Sequence, residues 1–98
     1  MSLIFVDTSA LTKRYIAERG ATWVRSWITQ AAGNQIAIAE LAVLEVLATL
    51  ARLRRDGLLS PSSHSRLRDD FLGHVDQEYV ITLLRGPMLD LARELVQR

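Results

Sequence analysis

Leu3-Ile4-Phe5-Val6-Asp7-Thr8-Ser9 is an apolar, aromatic and β-branched run that stops on an aspartate and two hydroxyls, just before a helical pattern begins. A continuous apolar run of this kind reads as a strand buried in a parallel sheet, and in open α/β sheets ligands bind outside the carboxyl ends of the strands. Asp7 stands at such an end. The same three residues also suit a helix start, where Asp, Thr or Ser side chains accept hydrogen bonds from backbone N–H groups that have no partner in the helix. Capping alone, and capping by one side chain while another faces a ligand, are both open on this stretch.

Working outward, Ser9 to Ala17 places Leu11, Tyr15 and Ile16 around Lys13 and Arg14, a helical rather than an alternating period. This predicts a short helix, broken by Glu18-Arg19-Gly20. Ala21 to Ala32 is a second amphipathic helix with Trp23, Val24, Trp27 and Ile28 on one face, stopped by Gly33-Asn34. Such a stripe reads as packed core, with stacking of the tryptophans on RNA bases the less favoured use. Gln35-Ile36-Ala37-Ile38 is a short second strand. Ala39 to Asp56 is the longest periodic segment, ended by Gly57. Arg52, Arg54 and Arg55 in its last turns complement the negative helix pole, or alternatively grip phosphates. Ser60-Pro61 fits the cap and first position of a fourth helix carrying Leu67, Phe71, Leu72 and Val75. Glu78 to Leu84 is a third strand, and Gly86-Pro87 introduces a last helix with Met88, Leu91, Ala92, Leu95 and Val96 as its apolar stripe. Strands alternating with helices predict an α/β fold built on a parallel sheet.

A chain of 98 residues makes one domain. Its 49% hydrophobic and 23% charged residues exclude a disordered or fibrous chain. A formal charge of +1 means that affinity for nucleic acid has to come from a local basic patch. Without cysteine there are neither disulfides nor thiolate metal sites, which fits a reducing cytoplasm. The opening apolar run is too short and lacks the basic flank of a signal peptide, and no stretch is long enough to span a bilayer. There is no Gly-rich phosphate loop, no Gly-x-Ser-x-Gly elbow and no Cys/His pair, so nucleotide-fold and covalent-nucleophile chemistries lack support.

Glu45 is the second residue of chemical interest. Leu41 to Ala51 is apolar apart from Glu45 and Thr49, and an unpaired carboxylate buried there is costly or becomes protonated. A salt bridge to an arginine resolves that cost, as does a cation shared with a second acid, and the cost vanishes if the helix is less buried than it looks. Asp7 at a strand end and Glu45 on the longest helix supply the oxygen ligands that a hard divalent cation takes, with Ser9 or Thr8 adding a hydroxyl. Glu40 is explained by the helix dipole, Asp69-Asp70 by a solvated face, and His64 and His74 by surface or packing roles.

The strand ending Val6-Asp7-Thr8-Ser9-Ala10-Leu11, the second strand, and the helix Leu41-Ala42-Val43-Leu44-Glu45-Val46 followed by Leu50 and Arg52 resemble a PIN domain. The nearest kind is the VapC-type toxin of bacterial toxin–antitoxin pairs. The resemblance extends over the whole chain, including the turn from Arg54 to Ser60. It implies a three-layer fold with a parallel sheet flanked by helices, and a Mg²⁺- or Mn²⁺-dependent endoribonuclease of the cytoplasm. An antitoxin protein would hold such an enzyme inactive, and the toxins are often dimeric. Asp7 and Glu45 match the family's first two metal-binding acids and Ser9 the hydroxyl beside them, so Asp7, Glu45 and Ser9 form the implied catalytic set. Lys13, Arg14 or the Arg52 to Arg55 cluster would hold the RNA backbone.

PIN domains carry further acids in a helix and strand after the last helix seen here, and Asp90 does not replace them. The expectation is therefore a single PIN-like domain over residues 1–98, incomplete at its C-terminus, that binds Mg²⁺ weakly and cuts RNA poorly. Asp7 and Glu45 should converge on one pocket. The first strand, central in the family, should present an open edge and favour a homo-oligomer. The alternative is a catalytically dead PIN-like interaction module that binds an antitoxin or another copy of itself.

Overall fold

The computed structural model describes residues 2–29 and 32–82. Its elements are β1 (Leu3–Phe5), α1 (Thr8–Thr12), α2 (Ala21–Ile28), β2 (Gln35–Ala39), α3 (Glu40–Arg55), α4 (Pro61–Gln77) and β3 (Tyr79–Thr82). Among the described residues all strand pairing is parallel, in the order β1-β2-β3, so the α/β class with a parallel sheet stands. Leu3 lies opposite Gln35 and Phe5 opposite Ala37, while Ile36 faces Tyr79 and Ala39 faces Thr82. Val6 extends the first ladder by donating its N–H to the Ala37 carbonyl at 2.9 Å.

The middle strand is covered on both faces: Ile36, Ala37 and Ile38 are all buried, as a continuous apolar run predicts. β1 departs from that rule. Val6 is buried and Ile4 packs against the core, but Leu3 and Phe5 are 67% and 60% exposed. Burial alternates there because β1 pairs on one side only among the described residues and has one face covered. The core joins Leu11 of α1, Val24 and Ile28 of α2, Ile36 and Ile38 of β2, Val46 and Leu50 of α3, and Phe71 of α4.

Helix boundaries follow local chemistry. α1 ends five residues in, earlier than the periodicity to Ala17 suggested. Beyond Thr12, the N–H groups of Lys13, Arg14 and Tyr15 turn to carbonyls three residues back, and the Thr12 hydroxyl bonds the Thr8 carbonyl at 2.8 Å. α3 closes on Gly57 at φ +77°, a left-handed conformation that glycine adopts without a Cβ penalty. There Gly57 N–H reaches the Arg54 carbonyl at 3.0 Å and Leu58 N–H the Leu53 carbonyl at 2.8 Å. α4 opens as its sequence reads: Ser60 accepts from Ser63 N–H at 3.1 Å and Pro61 takes the first helical position. The expected last helix, with Met88, Leu91, Ala92, Leu95 and Val96, lies outside the described residues, as do Leu83 and Leu84 of the expected third strand. Among the described residues no helix is long and apolar enough to cross a membrane.

Candidate functional site

Asp7 follows β1 at its carboxyl end and caps α1: its Oδ1 accepts the Ala10 N–H at 2.8 Å. The capping bond uses one carboxylate oxygen of an exposed side chain, so the capping and ligand-facing roles are compatible. Beside it opens a cleft of about 240 Å³ lined by Asp7, Ser9, Ala10, Lys13, Gly20, Trp23 and Val24. Carboxylate, hydroxyl, ammonium and indole thus meet at one sheet end. Ser9 and Lys13 line this cleft with Asp7, and Trp23, expected in the core, is 68% exposed. Val24 and Ile28 define the buried face of α2, and Trp23, one residue before Val24, stands about 100° around the helix from it.

Glu45 corrects a second expectation. It is exposed, lies outside the cleft lining, and has no ion pair among the described residues. The buried face of α3 is Ala42, Val46 and Leu50, and the apolar neighbours that argued for a buried Glu45 include Leu41 and Leu44, themselves 64% and 61% exposed. Desolvation therefore does not demand a partner for this carboxylate. α3 starts at the carboxyl end of β2 and packs on α1, so Glu45, in its second turn, is on the same end of the sheet as Asp7. The expected convergence of the two acids on one pocket is not found. Among the described residues no three His, Cys, Asp or Glu side chains gather to hold a metal ion.

Of the basic residues proposed for RNA, Arg52, Arg54 and Arg55 sit in the last turn of α3, roughly 18–22 Å along the helix from its start at the sheet end, and do not line the cleft. Arg14 is committed elsewhere. One of its terminal nitrogens donates to Glu78 Oε2 at 2.8 Å and to the Tyr79 hydroxyl at 2.9 Å, with the Arg14 and Glu78 side chains only 10% and 17% exposed. The Tyr79 and Tyr15 hydroxyls bond each other, and Tyr15 bonds His74 Nδ1 at 2.8 Å. His64 is buried in α4 as a packing residue. His74, read as a surface or packing residue, belongs instead to this polar cluster, with Glu78 four residues on at 3.9 Å.

Burial pushes both phenols up from their ordinary value, so Tyr15 and Tyr79 stay protonated. The hydroxyl chain has a consistent direction if Arg14 donates to Tyr79, Tyr79 to Tyr15, and Tyr15 to an unprotonated His74 Nδ1. Burial, and then the Arg14 charge, hold His74 below its ordinary 6.5, in keeping with that neutral ring. A histidine depressed in the fold takes up its proton more readily when unfolded, so its stabilisation is complete above the ordinary value and is lost as pH falls towards the folded one. The melting temperature is expected to fall between about pH 7.5 and about pH 5.5, and His74→Gln to flatten that slope. Equal slopes in both proteins would show that His74 is not the titrating group.

No family model matches the chain, and no curated protein compared with it matches either.

Proposed function

We propose that this chain is a metal-dependent endoribonuclease of the PIN type, resembling the VapC toxins, with Asp7 as the metal-binding acid of its cleft and Ser9 as the adjoining hydroxyl, while Glu45 stands at the same end of the sheet but outside that cleft. The observation that carries this is the cleft at the carboxyl end of β1, where Asp7 and Ser9 lie with Lys13 in the position expected for ligands of a parallel sheet. Mg²⁺ or Mn²⁺ takes oxygen ligands, which Asp7 and Ser9 supply in kind, but the described residues do not close a site around such an ion. When bound, the ion would supply charge for phosphoryl oxygens and an acidified water. Lys13 neutralises an RNA phosphate, the Ser9 hydroxyl donates to a phosphate oxygen, and Asp7 presents its carboxylate to the cleft while holding the start of α1.

An incomplete donor set implies weak ion binding and slow cleavage. The test is incubation of single-stranded RNA with the purified chain in Mg²⁺ or Mn²⁺ and in chelator. Slow cleavage that chelator removes is expected. Cleavage unaffected by chelator, or none at any ion concentration, overturns the proposal.

A specific observation favours the interaction-module reading beside it: Leu3 and Phe5 are exposed on a strand that pairs on one side only among the described residues. Such an edge is a template for another chain, an antitoxin or a second copy. Light scattering is expected to show an oligomer that Phe5→Glu shifts towards monomer. A wild-type monomer would remove the self-association part of this reading.

A further inference from the structure

We propose that Trp23 is a stacking platform for one unpaired RNA base beside Asp7, with Lys13 holding the phosphate of the same nucleotide, an inference that rests on the ribonuclease reading above. Trp23 is 68% exposed and lines the Asp7 cleft, while the residues that hold its helix down, Val24 and Ile28, are buried. Its ring is fixed by Trp27, at 5.5 Å between centroids and 72° between planes. An exposed indole face inside a cleft is available for a planar apolar group to stack on.

The surroundings select the occupant. Around Trp23 the cleft offers the Lys13 ammonium, the Ser9 hydroxyl and the Asp7 carboxylate, with Trp27 the aromatic neighbour packed against the indole, so the exposed ring is bordered mainly by polar groups. Lys13 reaches the cleft across Gly20, whose missing Cβ would stand 3.6 Å from the Lys13 Cδ and 3.7 Å from its Nζ. A planar apolar face, a cation and a hydroxyl within one small cleft match the base and phosphate of a single-stranded nucleotide; a duplex keeps its bases stacked away from any such face.

The test is binding of a short single-stranded RNA to the whole chain in chelator, where nothing is cut, followed by fluorescence quenching and anisotropy. Trp23→Ala is expected to weaken binding roughly tenfold or more, Trp23→Phe to restore much of it, and Lys13→Ala to lower the salt dependence by about one phosphate contact. An oligomer of the same length with abasic positions should bind wild type as weakly as intact RNA binds Trp23→Ala. Circular dichroism melting confirms that the variants fold. Unchanged affinity in Trp23→Ala overturns the proposal, as does absence of RNA binding by wild type. Intact RNA binding with loss of self-association in that variant also overturns it, in favour of a protein contact. Binding that depends on Trp23 without any cleavage in metal would uphold it while the ribonuclease reading fails. Cleavage with an unchanged KM in Trp23→Ala would do the reverse.

Discussion

The Asp7→Asn variant is expected to lose metal-dependent RNA cleavage by at least about 100-fold, the scale seen when one electrostatic group is removed from a catalytic site, while melting at the wild-type temperature. The separation follows from the two roles of this side chain. Asparagine caps a helix about as well as aspartate, so the bond to Ala10 N–H at 2.8 Å survives the change, whereas the negative charge beside Ser9 and Lys13 does not. Asp7→Ala removes both and is expected to cost about 1 kcal/mol of stability in addition. Cleavage rates and melting curves on the three proteins check this. If Asp7→Asn cuts RNA at the wild-type rate, the carboxylate is a cap and nothing more.

The largest effect on stability is expected at Phe71. Its side chain is fully buried on α4 and meets the Tyr15 ring edge-on at 5.3 Å and the Tyr79 ring at 6.5 Å, so it supports from behind the two phenols that carry the polar cluster. Phe71→Ala removes that support and leaves a cavity, at a cost of about 3–5 kcal/mol. Domains of this size are commonly stable by only about 5–15 kcal/mol, so the variant is expected near the edge of folding. Urea titration measures it. A loss of under about 1 kcal/mol would mean that α4 closes over the gap and that Phe71 is not central to the core.

What was legible in the sequence was what local chemistry decides. Asp7, Ser60 and Gly57 take up their cap and stop positions because the orphan groups at helix ends admit few residue types. Three parallel strands alternating with helices were legible for the same reason, from short β-branched runs between breakers. Burial was harder, since it depends on what lies across from a face. Leu3, Phe5, Leu41 and Leu44 are apolar yet exposed, and they misled the reading of β1 and of Glu45. Trp23 shows the limit of a helical stripe: four apolar residues on α2 exceed what one side of a short helix covers, and the outermost ring was left in the Asp7 cleft. The polar cluster had half a signal, because His74 and Glu78 are four residues apart on consecutive turns. That Arg14 and Tyr15 meet them from about 60 residues away is set by packing and has no mark in the local sequence.

The most direct test of a metal-dependent site at the Asp7 end of the sheet is paramagnetic broadening of the backbone amide signals by Mn²⁺, which quenches resonances near the ion whether or not RNA is cut. The expected result is early loss of the signals from Asp7 to Leu11 and of those around Glu45, with the signals of His74, Glu78 and Tyr79 persisting at the other end of the sheet. Broadening confined to residues remote from Asp7, or spread evenly over the chain, would contradict a metal site there.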